Sequence, residues 1–221
     1  MPVSDDSGFP APLSSVEHAR WIAETIAPGT GIIRNYVPTD LDGVARVLHR
    51  AGHDYDLTWK RISAASGETL SSDTQFDDIR QSLGEEPPAE VGSLDPVSQE
   101  RLTEILTEWR ATQASVFFGW WTGSAKVGRL PGVHGAPAYR GPRECVLFES
   151  EFDKLAHLAT EVGVTPYHWF DASKSWLVVT ELDFDSTLVA GPSDLIDAIT
   201  SDTVLEAFET SYSADLRSHR P

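Results

Sequence analysis

With 221 residues, 40% of them apolar and seven Trp, nine Phe and five Tyr among them, the chain can bury a single core, which excludes a largely disordered or fibrous protein. A formal charge of −17 at neutral pH, with the 17 Lys and Arg scattered along the sequence, repels nucleic acid and anionic membrane, so neither is expected as a partner. No run approaches the roughly 20 apolar residues of a membrane span. The opening MPVSDDSGFPAPLSS lacks the basic start and apolar centre of a secretory signal, and the lone Cys145 forbids an intrachain disulfide. A cytoplasmic location is therefore expected.

In chain order, residues 1–13 read as a flexible arm and 14–215 as one domain, with a flexible tail at 216–221. The capping pattern Ser14-Ser15-Val16-Glu17 predicts a helix over 15–26, with Val16, Ala19, Ile22, Ala23 and Ile26 on its apolar face and Pro28-Gly29 ending it. The branched runs 31–37 and 44–49 predict two strands or a hairpin. The type of 57–65 is ambiguous, and a short helix is expected over 74–83. Residues 84–95, with two adjacent prolines and separated acids, form a loop. Asp95-Pro96 then supplies a cap and first turn for a helix to about Trp109, with Leu102, Ile105, Leu106 and Trp109 inward and Glu100, Glu104 and Glu108 outward.

Residues 114–121 predict a strand whose alternation sends Phe118 and Trp120 to one face and Phe117 to the other. A Gly- and Pro-rich loop near 122–143, a strand at 144–148 and a helix over 151–162 ending at Gly163 follow. Strands at 176–184 and 187–190 and two short helices after Pro192 and Ser201 complete the chain. Helices and strands without a regular βαβ alternation predict an α+β fold: a mixed or mainly antiparallel sheet with packed helices in a single compact domain.

The segment LVVTELDFDSTLV holds Asp183, Asp185 and Thr187 in a D-x-D-x-T array after an apolar run. Strand alternation would put Trp176, Val178, Thr180, Leu182 and Phe184 on one face and Glu181, Asp183 and Asp185 on the other. The array resembles the first motif of haloacid dehalogenase-like phosphatases, over about ten residues. That resemblance implies Asp183 as nucleophile, Asp185 as general acid or base, Thr187 as a supporting hydroxyl and Mg²⁺ as the neutralising ion. The family's downstream lysine has no counterpart: the chain after Thr187 holds no Lys, and its only bases are Arg217 and Arg220. Phosphoryl transfer without a positive clamp leaves developing charge unstabilised. The array therefore reads as the solvated end of a core strand, with a hard-cation site of Glu181, Asp183 and Asp185 as the chemical alternative.

Elsewhere, the aromatic strand end and the basic loop after it offer Trp121, Arg129, His134, Tyr139 and Arg140 as an interaction surface, since Trp, Tyr and Arg supply large anchors. His168 beside Asp171 reads as a satisfied or exposed turn histidine rather than a general base. His49 and His53, near Asp54 and Asp56, are spaced for a metal only if they share a helix, and Gly52 breaks it. Cys145 reads as a buried thiol. The glycines match no phosphate loop or dinucleotide fingerprint.

The segments ARVLHR, FFGWW and WLVVTELDFDSTLVAG resemble pieces of a group of functionally uncharacterised acidic proteins from high-GC Gram-positive bacteria. The similarity extends over most of residues 30–215 and implies a cellular context without a catalytic template. The acidic α+β texture is also similar to SMI1/KNR4-type immunity and adaptor proteins. An acidic interaction or adaptor protein with a protein partner, basic in character, is the leading expectation, and no cofactor is expected. The alternative is a small-molecule or metal-dependent enzyme or binding protein using Asp183, Asp185 and the 126–143 loop.

Overall fold

The structure, a computed structural model, describes residues 9–109 and 116–216. Eight strands form one sheet: β1 (Gly43–Leu48), β2 (Val116–Trp121), β3 (Ala138–Arg140), β4 (Glu144–Ser150), β5 (His168–Asp171), β6 (Leu177–Val179), β7 (Ser186–Gly191) and β8 (Ala207–Thr210). Their order is β3-β4-β2-β5-β6-β7-β1-β8, and every neighbouring pair is antiparallel. Six helices accompany them among the described residues: α1 (Arg20–Thr25), α2 (Trp59–Ser66), α3 (Phe76–Ile79), α4 (Pro96–Trp109), α5 (Leu155–Val162) and α6 (Ser193–Thr200). The expected α+β class and single compact domain hold. No helix among the described residues is long and apolar enough to cross a membrane.

Both faces of the sheet are buried, and the two-residue period sorts the side chains between them. Phe118, Trp120, Phe148, Val178 and Val189 join the core that includes Leu102 and Leu106 of α4, Leu155 and Leu158 of α5 and Leu195 of α6. Phe117, Leu147, Phe170, Leu177 and Val179 face the opposite way, onto Trp21 and Ile22 of α1 and the 33–37 segment. Each such side chain contributes roughly 1.5–3 kcal/mol on burial, so packing outweighs local propensity. A smaller cluster, built on Trp59, Ile62, Phe76 and Ile79, seats α2 and α3 beside Leu48 of β1.

Local signals account for the element ends. Asp95 Oδ1 accepts the Ser98 N–H at 2.9 Å, capping α4, while its Oδ2 accepts the Arg50 N–H at 2.9 Å and fixes the helix start to the end of β1. Gly163, at φ 75°, closes α5 in the left-handed conformation that favours glycine.

Several expectations are corrected. Residues 31–37 form a 3-10 turn, Ile33–Asn35, instead of a strand. The Asn35 side chain accepts from Ile32 N–H and donates to the Ala27 and Pro28 carbonyls, holding the turn, while Ile33 and Arg34 N–H donate to the Ala214 and Tyr212 carbonyls of a remote segment. After Ser201, Asp202 Oδ1 takes the Val204 and Leu205 N–H groups in a turn, and the chain continues as edge strand β8 rather than a helix. Strands β3 and β5 arise where a loop and a turn were expected. The predicted arm is packed at its described end: the Phe9 ring meets Trp120 and Phe148 at 5.9 and 5.6 Å, and Leu13 N–H donates to Leu147 O. Leu216, expected in the tail, is buried. Residues 1–8 and 217–221 lie outside the described residues.

Candidate functional site

Strand β6 stops at Val179, and Leu182 and Asp183 form a turn in which Phe184 N–H donates to Glu181 O at 3.0 Å. This turn breaks the alternation that the sequence suggests. Phe184 swings to the face of Leu177 and Val179, where its ring meets Tyr36 at 5.0 Å, opposite Trp176 and Val178.

The carboxylates of the hairpin consequently divide between two arginines, Glu181 and Asp183 on Arg143 and Asp185 on Arg46. Glu181, its side chain 1% exposed, points inward onto Arg143, whose Nε donates to Oε1 at 3.0 Å and whose Nη2 reaches the same oxygen. The buried Tyr167 hydroxyl donates to Glu181 Oε2. Arg143 Nη2 also reaches Asp183 Oδ2 at 2.8 Å, although Asp183 is 80% exposed. Asp185 turns away: its Oδ1 takes Arg46 Nη2 at 3.0 Å and its Oδ2 takes the Phe76 N–H at 3.0 Å. Two arginines thus pair with three acids, leaving one net negative charge at the hairpin. Among the described residues no group of three or more His, Cys, Asp or Glu is placed to hold a metal ion.

The electrostatics reinforce this arrangement. Hydrogen bonding to Glu181, stronger than the opposing effect of burial, raises the Arg143 pKa. Burial, then the Glu181 charge, pushes the Tyr167 phenol well above its ordinary value, so the phenol keeps its proton and donates.

Arg143 also lies 5.8 Å from the Trp121 ring centre, a cation–π approach. The indole covers Gly123, where a β-carbon would fall 2.1 Å from Cζ2, so only glycine admits the ring there. Trp121, Tyr167, Thr180 and Leu182 line a cleft of about 220 Å³, and Phe76, Asp183 and Asp185 line a second of about 210 Å³. Val91, 60% exposed, borders both.

Of the residues assigned to an interaction surface, Trp121 alone lines these clefts. Arg129 and His134 are exposed on the intervening loop, and Arg140 pairs with Glu144 at 3.5 Å. Tyr139 is corrected: it is buried on β3, and its hydroxyl lies 2.8 Å from His168 Nδ1, inaccessible to a partner. Arg143 was visible as one of several loop bases, but its pairing across 38 residues carried no local sequence signal.

The histidines are inside the fold. His49 Nδ1 lies 2.7 Å from Glu90 O and must carry the proton, so Nε2 accepts from Thr187 at 2.9 Å. Thr187 in turn accepts from Thr180 at 2.9 Å. Burial holds the His49 pKa down and keeps it neutral, while His53 is exposed and apart. His168, read as a turn residue, is fully buried on β5, and burial pushes its pKa down to about 3. Its Nε2 has no hydrogen-bond partner among the described residues. Cys145 is buried as expected, and burial raises its thiol pKa.

Neither buried histidine lines either cleft, and Glu181 and Tyr167 are committed to each other and to Arg143. What the surface offers is an aromatic–guanidinium rim beside two partly apolar clefts. Comparison with protein-family models, curated proteins and solved structures gives no match, so the functional conclusion rests on this geometry.

Proposed function

We propose that the chain is an interaction or adaptor protein of the cytoplasm that binds a basic protein partner through the β6–β7 hairpin and the adjoining Trp121 rim. One observation carries this reading: Trp121 stands over an Arg143 that the buried Glu181 holds in place, beside exposed Val91. Anchors fixed before binding lose little freedom on contact, and Trp and Arg are the residue types that dominate such contacts. Asp183, exposed at the hairpin tip, and a net charge of −17 favour a partner of opposite sign.

Affinity capture on the full chain from native extract, followed by mass spectrometry, is the test, with the captured partner then titrated against Trp121→Ala and Asp183→Asn. Trp121→Ala should weaken binding by at least about 2 kcal/mol, the usual threshold of an anchor residue, and Asp183→Asn should reduce the salt dependence of association. A partner whose affinity ignores both substitutions, with circular dichroism unchanged, would remove this face from consideration.

A further inference from the structure

The sheet has two edges, and they are finished differently. Edge strand β3 is three residues long, lies between Pro137 and Pro142, and gives way along β4 to Leu13, whose N–H donates to Leu147 O. These are devices that discourage another strand from pairing. Edge strand β8 has none of the prolines: residues 203–216 contain neither Pro nor Gly.

The pairing register shows which backbone groups of β8 face outward. Leu48 N–H donates to Glu206 O at 2.9 Å, which makes Leu48 and Glu206 a hydrogen-bonded pair. Alternation then gives Arg46 with Phe208 and Val44 with Thr210 as the other bonded pairs. Ala207 and Glu209 therefore direct their N–H and C=O groups away from β1, toward the side where the sheet ends.

Beside this edge lies a groove of about 490 Å³ between β8 and α2, lined by Ala64, Leu70, Leu205 and Phe208 together with Lys60 and Glu206. It is larger than either cleft beside the β6–β7 hairpin, and its apolar floor adjoins strand backbone with no partner strand among the described residues. The combination of free ladder positions and side-chain pockets beside them is what strand addition requires.

We propose that β8 accepts an extended segment of a partner protein as a ninth strand, a segment that alternates apolar residues with Lys or Arg. Its apolar side chains seat over Phe208 and Leu70 on the groove face, and its bases, on the opposite face of the added strand, meet the exposed Glu209. A second copy of this chain is the wrong occupant, because it would set Glu209 near Glu209 and join two bodies of charge −17. This surface is separate from the hairpin rim, and its assignment stands on different residues.

The experiment is fluorescence anisotropy of labelled heptapeptides alternating Lys with Val, Leu or Phe, titrated with the full chain. Saturable binding is expected, with a loss of about tenfold or more when alternate peptide amides on the pairing side are N-methylated. Ala207→Pro removes an N–H that makes no hydrogen bond among the described residues and should produce the same loss. Ala64→Trp, which fills the groove from the exposed side of α2, is the second variant should the proline disturb folding.

The proposal is overturned if no peptide saturates, if Glu-alternating peptides bind equally well, or if binding survives Ala207→Pro and Ala64→Trp with circular dichroism unchanged. Sedimentation showing a dimer that Ala207→Pro dissociates would also overturn it, in favour of a second copy. None of these outcomes depends on Trp121, so the hairpin assignment stands or falls by its own titration.

Discussion

His168 should make the fold acid-labile in a measurable window. The ring is fully buried between Tyr139 and Tyr167, Nε2 lacks a partner among the described residues, and no carboxylate offsets its desolvation. Its pKa falls from an unfolded value of about 6.5 to about 3 in the fold. The unfolded chain thus binds the proton more readily, so the stability due to a neutral His168 is complete above the unfolded value and is lost as pH drops toward the folded one. At about 1.36 kcal/mol per pH unit, the loss between pH 6.5 and pH 5 is about 2 kcal/mol. The assay is urea denaturation of the wild type and His168→Gln at pH 7.5 and pH 5. Contributions from His49 and the carboxylates are common to both proteins and cancel in the comparison. The wild type should lose about 2 kcal/mol more than the variant between the two conditions. Equal losses would refute the argument that His168 is held neutral by burial.

Two further outcomes follow from close packing and buried charge. Arg46, fully buried, donates to Ser186 Oγ, Asp185 Oδ1 and the Ser72 and Thr74 carbonyls. Arg46→Met should destabilise by about 3–5 kcal/mol in urea titration, and Arg46→Met with Asp185→Leu should recover part of that, because stranding one partner is worse than removing both. A β-carbon at Gly119 would fall 2.0 Å from the Tyr139 hydroxyl oxygen. Gly119→Ala should therefore lower stability by about 1–3 kcal/mol, and Tyr139→Phe in the same chain should restore some of it by calorimetry.

Much of the architecture was legible because its determinants are local. Asp95-Pro96 marked the start of α4, Gly163 the end of α5, and alternation sorted Phe117 from Phe118 and Trp120. What escaped depends on partners remote in sequence or on turns inside apolar runs. The 31–37 segment has strand-like residues, yet it turns at Asn35 and its backbone bonds to the remote 212–216 segment. β8 carries a short sequence, AFET, with little periodicity, and becomes a strand only because β1 lies alongside. At the hairpin, the acids were visible but their destinations were not. The Leu182-Asp183 turn reverses the side of Phe184, and Arg143 and Arg46 approach from 38 and 139 residues away.

The position of β1 has a consequence for the order in which this protein can be built. β1 occupies residues 43–48, yet both strands that flank it, β7 and β8, come from residues 186–210. A chain emerging N-terminus first must carry Val44, Val47 and Leu48 without their sheet neighbours until most of the sequence has been made. Meanwhile β2, β4 and β5, which are consecutive neighbours in space and lie between residues 116 and 171, can assemble with one another. Non-local closure of this kind is slow and leaves apolar strand surface open in the interval. Among the described strands β1 is therefore the one that waits longest for its partners, and the sheet is completed only when β7 and β8 arrive.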